Sequence, residues 1–109
     1  MRVSELAELN IMKPVVLPDP EREIDGVYMG DLLSWVMGRA FEDQAWITIM
    51  SNTNVIAVAS LVNVSCVILS EGVQLPNELQ TLAEDKEINV LSFEGTSYEA
   101  AVELYKVLS

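Results

Sequence analysis

The sequence predicts an α/β fold: a single three-layer domain over residues 1–109, with a mostly parallel sheet of four to five strands flanked by helices. Three observations carry this reading. From Gln44 to Ser70 the chain holds no charged residue, although Asp, Glu, Lys and Arg make up 21% of the whole. That stretch contains two short apolar runs, Trp46–Met50 and Ser65–Leu69, joined by a polar turn and a segment able to form a helix. The join is long enough for a parallel crossover, and neither run alternates apolar with polar, as expected of strands covered on both faces. Finally, half of the 109 residues are hydrophobic, which suffices for one core and leaves no reason to divide the chain.

Taken in order, Ser4–Asn10 reads as a short helix and Pro14–Leu17 as a strand. A polar loop then leads to Gly26–Gly30. Asp31 can cap a helix running to about Ala40. In that helix Leu32, Leu33, Val36, Met37 and Ala40 form the apolar stripe, which leaves Trp35 and Arg39 on another face. Strand Trp46–Met50 follows, then a helix from Asn54 to about Val62 with Asn52 or Asn54 as its cap, then strand Ser65–Leu69. Pro76 suits the first turn of the next helix, whose stripe is Leu79, Leu82 and Ala83. Ile88–Leu91 is a strand. Thr96 and Glu99 have the spacing of a capping box, and Tyr98, Ala101, Val102, Tyr105 and Leu108 fall on one face of the closing helix.

Seventeen acidic residues against six basic ones give a net charge of −11. Such a chain repels phosphate backbones and anionic lipid at long range, so neither nucleic acid nor a membrane surface is an expected partner. Polar residues at Ser51–Asn54, Ser60, Asn63 and Ser65 interrupt the uncharged run before it can supply a transmembrane helix. One cysteine and no histidine exclude an intramolecular disulfide and remove the commonest metal ligand and general base. With acidic Glu5 and Glu8 at the start in place of a secretory leader, a cytoplasmic location is expected, and no cofactor.

Candidate sites follow from the topology. Ser51, Asn52, Thr53 and Asn54 stand at the carboxyl end of a predicted parallel strand and the start of a helix, where open α/β sheets bind ligands. These are also the usual capping residues, so plain helix capping is the competing reading. Ser70, Glu71 and Gly72 project from the same sheet edge after the next strand, and Ser92 with Thr96 after the third; together these positions can line one crevice. Hydroxyls, amides and one carboxylate make no activated nucleophile, which favours binding over catalysis. The acidic loop Asp19–Gly26 imitates an EF-hand at Glu21, Glu23, Asp25 and Gly26, but position twelve is Leu32, so a solvated loop is expected. Cys66, mid-strand, reads as an inert buried thiol.

The helix after Asn54 is apolar on every side. Val55, Ile56, Val58, Ala59 and Val62, with Trp35 from the preceding helix, therefore form a candidate homodimer interface. Burial under neighbouring elements of the same chain is the alternative.

The run from Ile24 to Ala40, IDGVYMGDLLSWVMGRA, followed by Ala45-Trp46-Ile47-Thr48-Ile49, resembles the stand-alone proteins of the DRTGG domain family, and the likeness extends from about Val15 to Leu108. The resemblance implies an α/β domain, also found at the amino terminus of some phosphotransacetylases and between the CBS domains of some pyrophosphatases, with a regulatory or dimer-forming role. It further implies a link to redox metabolism, since stand-alone members tend to be encoded beside iron hydrogenase components. Some members are labelled as relatives of the serine kinase acting on the phosphocarrier HPr, but this chain lacks a phosphate-binding loop. The family's Asp-Arg pair corresponds to the Ser51–Asn54 turn and its Thr-Gly-Gly run to Ser70-Glu71-Gly72. Only Gly72 is retained, and no catalytic residue carries over.

The expectation is thus a non-catalytic regulatory or scaffolding module that homodimerises and binds a small polar ligand or a partner enzyme. The alternatives are a carboxylate-dependent enzyme using Asp25, Asp31 or Glu71, with magnesium, and a nucleotide-sensing domain.

Overall fold

The computed structural model describes residues 1–108. Along the chain lie α1 (Val3–Glu8), β1 (Lys13–Val16), β2 (Val27–Met29), α2 (Leu33–Arg39), β3 (Ala45–Thr48), α3 (Thr53–Val62), β4 (Cys66–Leu69), α4 (Asn77–Asp85), β5 (Val90–Ser92) and α5 (Ser97–Leu108). The five strands form one sheet in the order β1-β5-β4-β3-β2. Strands β2 to β5 are mutually parallel. β1 runs antiparallel to β5, with Lys13 opposite Ser92.

The uncharged runs occupy the sheet centre because only there is each residue covered on both faces. Alternation along β3 and β4 divides the interior in two. Trp46, Val67 and Leu69 face a layer of α2, α3 and α4, where they meet Val36, Ile56 and Ala83. Ala45, Ile47, Cys66 and Ile68 face α1 and α5, where they meet Leu6, Ala100 and Leu104. Trp46, wholly buried, satisfies its indole by donating to the Gly30 carbonyl at 2.9 Å, as a buried indole N–H requires.

The expected architecture is present, with local differences. β3 ends at Thr48 rather than Met50, and Ile49 is already exposed. Asp31 does not cap α2. Leu32 occupies that position in extended backbone, while the Asp31 carboxylate accepts from Thr48 Oγ1 at 2.7 Å and from the Ile49 N–H at 2.9 Å. Of the α2 stripe, Leu33, Val36 and Ala40 reach the core, whereas Leu32, lying ahead of the helix, and Met37 are exposed. In α5 the buried line is Ala100 and Leu104, flanked by Val107, and Tyr98 and Tyr105 point outward. Of the expected face, Ala101 and Leu108 do pack against the core, while its two tyrosines do not.

The acidic loop after β1 exposes Glu21, Glu23, Asp25 and Gly26 as expected, but its path is stapled. Arg22 donates through Nε and Nη2 to Asp43 Oδ1 at 2.9 and 2.8 Å. Ser65 Oγ donates to the Glu23 carbonyl at 2.7 Å. Buried Asn89 accepts from the Asp19 N–H at 2.9 Å, and donates to the carbonyls of Asp19 at 2.8 Å and Ser65 at 3.0 Å. These bonds carry the loop from residue 19 to residue 25 across the amino ends of the central strands, so the carboxyl ends are left to the loops from which a site can be made.

α3 is the middle helix of its layer. Val55, Ile56, Val58 and Ala59 are buried within the chain's own core and Val62 is packed against it, so five of the six residues expected at a dimer interface are covered by their own chain. Trp35 is 53% exposed, with the Arg39 guanidinium stacked 3.9 Å from its ring centroid. Among the described residues, no helix is long and apolar enough to cross a membrane.

Candidate functional site

At the carboxyl edge of the sheet, one side chain of the turn after β3 has a structural role. Asn52 Oδ1 accepts from the Asn54 N–H at 3.0 Å and so caps α3, relieving one of the unpaired amides of a helix start. Thr53 and Asn54 are exposed and Ser51 is half-buried. Thr53 opens onto a groove of about 440 Å³ between α3 and α4, which ends at Leu82 and Lys86.

The loops after β4 and β5 are laced together. The Glu71 N–H donates to the Gly95 carbonyl at 2.8 Å, and the Gly72 N–H to the Phe93 carbonyl at 3.0 Å. Glu71 and Gly72 both hold positive φ, 61° and 69°; glycine accepts this without a Cβ penalty, while Glu71 bears some strain. Buried Ser70 shares a hydrogen bond of 2.6 Å with Ser97 Oγ. Thr96 and Glu99 form the expected capping box: Thr96 Oγ1 accepts from the Glu99 N–H at 3.1 Å, and the Glu99 carboxylate accepts from the Thr96 N–H at 2.9 Å. The hydroxyls of Ser70 and Thr96 are therefore already engaged.

What stays open lies between these loops and β1. A hollow of about 250 Å³ is lined by Gly72, Gln74, Gln80, Ser92, Glu94 and Lys13 among others. A shallower one of about 480 Å³ adjoins it, sharing Lys13, Pro14, Ser92 and Glu94 and adding the apolar Ile11, Met12 and Phe93. Of the nine ligand residues expected from sequence, only Gly72 and Ser92 enter this trough; Ser70, Glu71 and Thr96 stand beside it, and Ser51–Asn54 lie apart over β3. Among the described cavities none joins the two sets, so they do not line a single crevice.

Lys13 is the residue sequence reasoning missed. It stands 79 residues before Ser92 in the chain yet sits opposite it because β1 runs antiparallel to β5. Among the described residues its ammonium makes no ion pair, and Glu94, a wall of the same hollow, makes none either. A trough with an unspent cation, an unspent carboxylate and the amide of Gln74, with Gln80 held by its 2.9 Å bond to the Leu75 carbonyl, can recognise a small molecule carrying both an acidic and a donor group. It brings no activated nucleophile to any point. Of the carboxylates considered for catalysis, Asp31 is already engaged by Thr48 and Ile49.

The model of the DRTGG domain matches residues 19–107.

The chain belongs to the DRTGG domain family.

Among solved structures, this DRTGG chain is similar to the CBS and DRTGG domains of the regulatory region of Clostridium perfringens pyrophosphatase, complexed with its activator diadenosine tetraphosphate. The TM-score is 0.68 and the identity 15%, covering 93% of this chain and 44% of that one. The DRTGG chain thus spans less than half the length of that neighbour, and at this identity the likeness is one of fold. No curated protein sequence matches it.

Proposed function

We propose that this DRTGG protein is a non-catalytic regulatory module that signals to a partner enzyme by binding a small polar ligand in the trough between β1 and the loops after β4 and β5. The observation that carries the reading is the pair Lys13 and Glu94, two unpaired opposite charges on one hollow; of the neighbouring polar side chains, Asn52, Ser70 and Thr96 are spent on caps and loop bonds. A hollow of about 250 Å³ lies below the usual range for drug-sized ligands, and so suits an amino acid or small organic acid. Extension into the adjoining space would admit a nucleotide, with the base near Phe93 and the phosphate at Lys13. The nucleotide activator of the pyrophosphatase neighbour supports including that class, while the charge of −11 opposes it. A thermal-shift and calorimetric panel of amino acids, small dicarboxylates, AMP, ATP and diadenosine tetraphosphate is the test. A hit weakened at least about tenfold by Lys13→Ala, a loss of roughly 1.4 kcal/mol, supports the site; a hit indifferent to Lys13 and Ser92 moves it elsewhere.

A second reading is self-association, now through α2 rather than α3. Leu32, Trp35 and Met37 leave three large apolar side chains exposed on and beside one short helix, more than scattered surface residues account for. The link to hydrogenase metabolism implied by the family resemblance would make the regulated partner a redox enzyme.

A further inference from the structure

The two edges of the sheet are treated differently. The β1 edge carries Lys13 and Pro14 and a break in register between Pro14 and Val16, each a device that discourages a further strand from pairing. The β2 edge carries none of them. Its segment Gly26-Val27-Tyr28-Met29-Gly30 has neither charge nor proline, it pairs with β3 in unbroken register, and Met29 is 50% exposed. The Gly26 carbonyl accepts from the Ala45 N–H at 2.9 Å, and the Gly30 N–H donates to the Ile47 carbonyl at 3.1 Å. Alternation along a strand then directs the main-chain groups of Val27 and Met29 away from β3, toward solvent. Beside them, on the α5 side, a hollow of about 340 Å³ is lined by Val27, Ala101, Tyr105 and Leu108.

We propose that β2 accepts an extended segment of another protein as a sixth strand, with an apolar side chain of that segment in the hollow against α5 and basic residues at its ends. Main-chain bonds to Val27 and Met29 supply affinity and the hollow supplies selectivity, as in other cases of strand addition. The basic character follows from charge. Asp25 and Asp31 bracket the strand, and the whole chain carries −11, so an incoming cation at either end gains and an anion loses. A second copy of this chain is the wrong occupant. Antiparallel pairing of the whole strand with its own image, about a two-fold axis at Tyr28, sets Asp25 of each copy opposite Asp31 of the other, and like charges directly opposite destabilise a sheet. This surface is distinct from the trough at Lys13, which lies at the far edge of the sheet.

The test is amide hydrogen exchange of the full chain at low salt, read residue by residue, with a blocked peptide of alternating valine and threonine carrying two lysines at each end. The control is the same peptide with glutamates in place of lysines. Exchange at Val27 and Met29 is expected to slow about tenfold or more with the lysine peptide and not with the control, while β1 is unchanged. Met29→Pro removes an outward N–H without touching the ladder to β3, and is expected to weaken the peptide at least about tenfold. Val27→Lys, which places a cation on the edge itself, is the second variant should the proline disturb folding. No slowing at Val27 and Met29, equal slowing with the glutamate peptide, protection that rises with protein concentration in the absence of peptide, or a folded variant that binds undiminished would each overturn the proposal.

Discussion

Cys66 shows how much a single buried group can reveal. Burial pushes its thiol up to about 12, the Arg22 guanidinium acting in the opposite direction. Below the ordinary cysteine range both folded and unfolded chains keep the proton, so nothing is contributed. Above it the unfolded chain loses the proton while the folded chain retains it, and stability falls by about 1.4 kcal/mol per pH unit until the folded value is reached. The expected outcome, read from urea denaturation, is that the stability of wild type relative to Cys66→Ala falls by about 2 kcal/mol between pH 8 and pH 10.5; a parallel pH dependence of the two would contradict it. The thiol should also resist alkylation until the protein unfolds. This inertness was legible from the position of Cys66 in an apolar run without a neighbouring cation. The roles of Asn89 and Asp31 were not, since each bonds to segments distant in sequence, and nothing local distinguishes a carboxylate that caps a helix from one that anchors the next strand.

Among the elements, α3 teaches the most about what a pattern means. An all-round apolar helix was expected either to be covered by its own neighbours or to await a second chain. As the middle helix of three, it has α2 and α4 on its flanks as well as the sheet beneath, so its apolar surface is mostly satisfied internally, and beyond the first turn at Thr53 and Asn54 it is the ridge at Ala57, Ser60 and Leu61 that faces out. The central strands were legible because uncharged runs have few places to go. Which face of α5 is buried was not, because the alanines and tyrosines offer two overlapping stripes and only the packing of the sheet decides between them. The turn before α3 was legible as a helix cap, and Asn52 supplies it. Asn52→Ala should therefore cost about 1 kcal/mol of stability, measured by chemical denaturation, and leave ligand binding at the Lys13 trough unchanged; an equal loss of ligand affinity would reopen the Ser51–Asn54 turn as a binding site.

For the molecule as a whole, the candidate site divides along the line between local and long-range information. Gly72 and Ser92 were readable from strand ends alone, whereas Lys13 needed the direction of β1, which no periodicity encodes. Self-association is decided at this scale too. A dilution series by native mass spectrometry is expected to give a dimer that Trp35→Glu converts to monomer at micromolar concentration, without loss of the folded signal in circular dichroism; a wild-type monomer at every concentration would remove the α2 reading. The antiparallel pairing of β1 with β5 also has a bearing on how the protein is born. On a ribosome, β2 to β5 can assemble strand by strand as they emerge, each beside the last. Residues 13–16, made before all of them, have no partner until residues 90–92 appear, so the first strand to be synthesised is the one that must wait for the last, and the lysine that completes the trough arrives only when the sheet is closed.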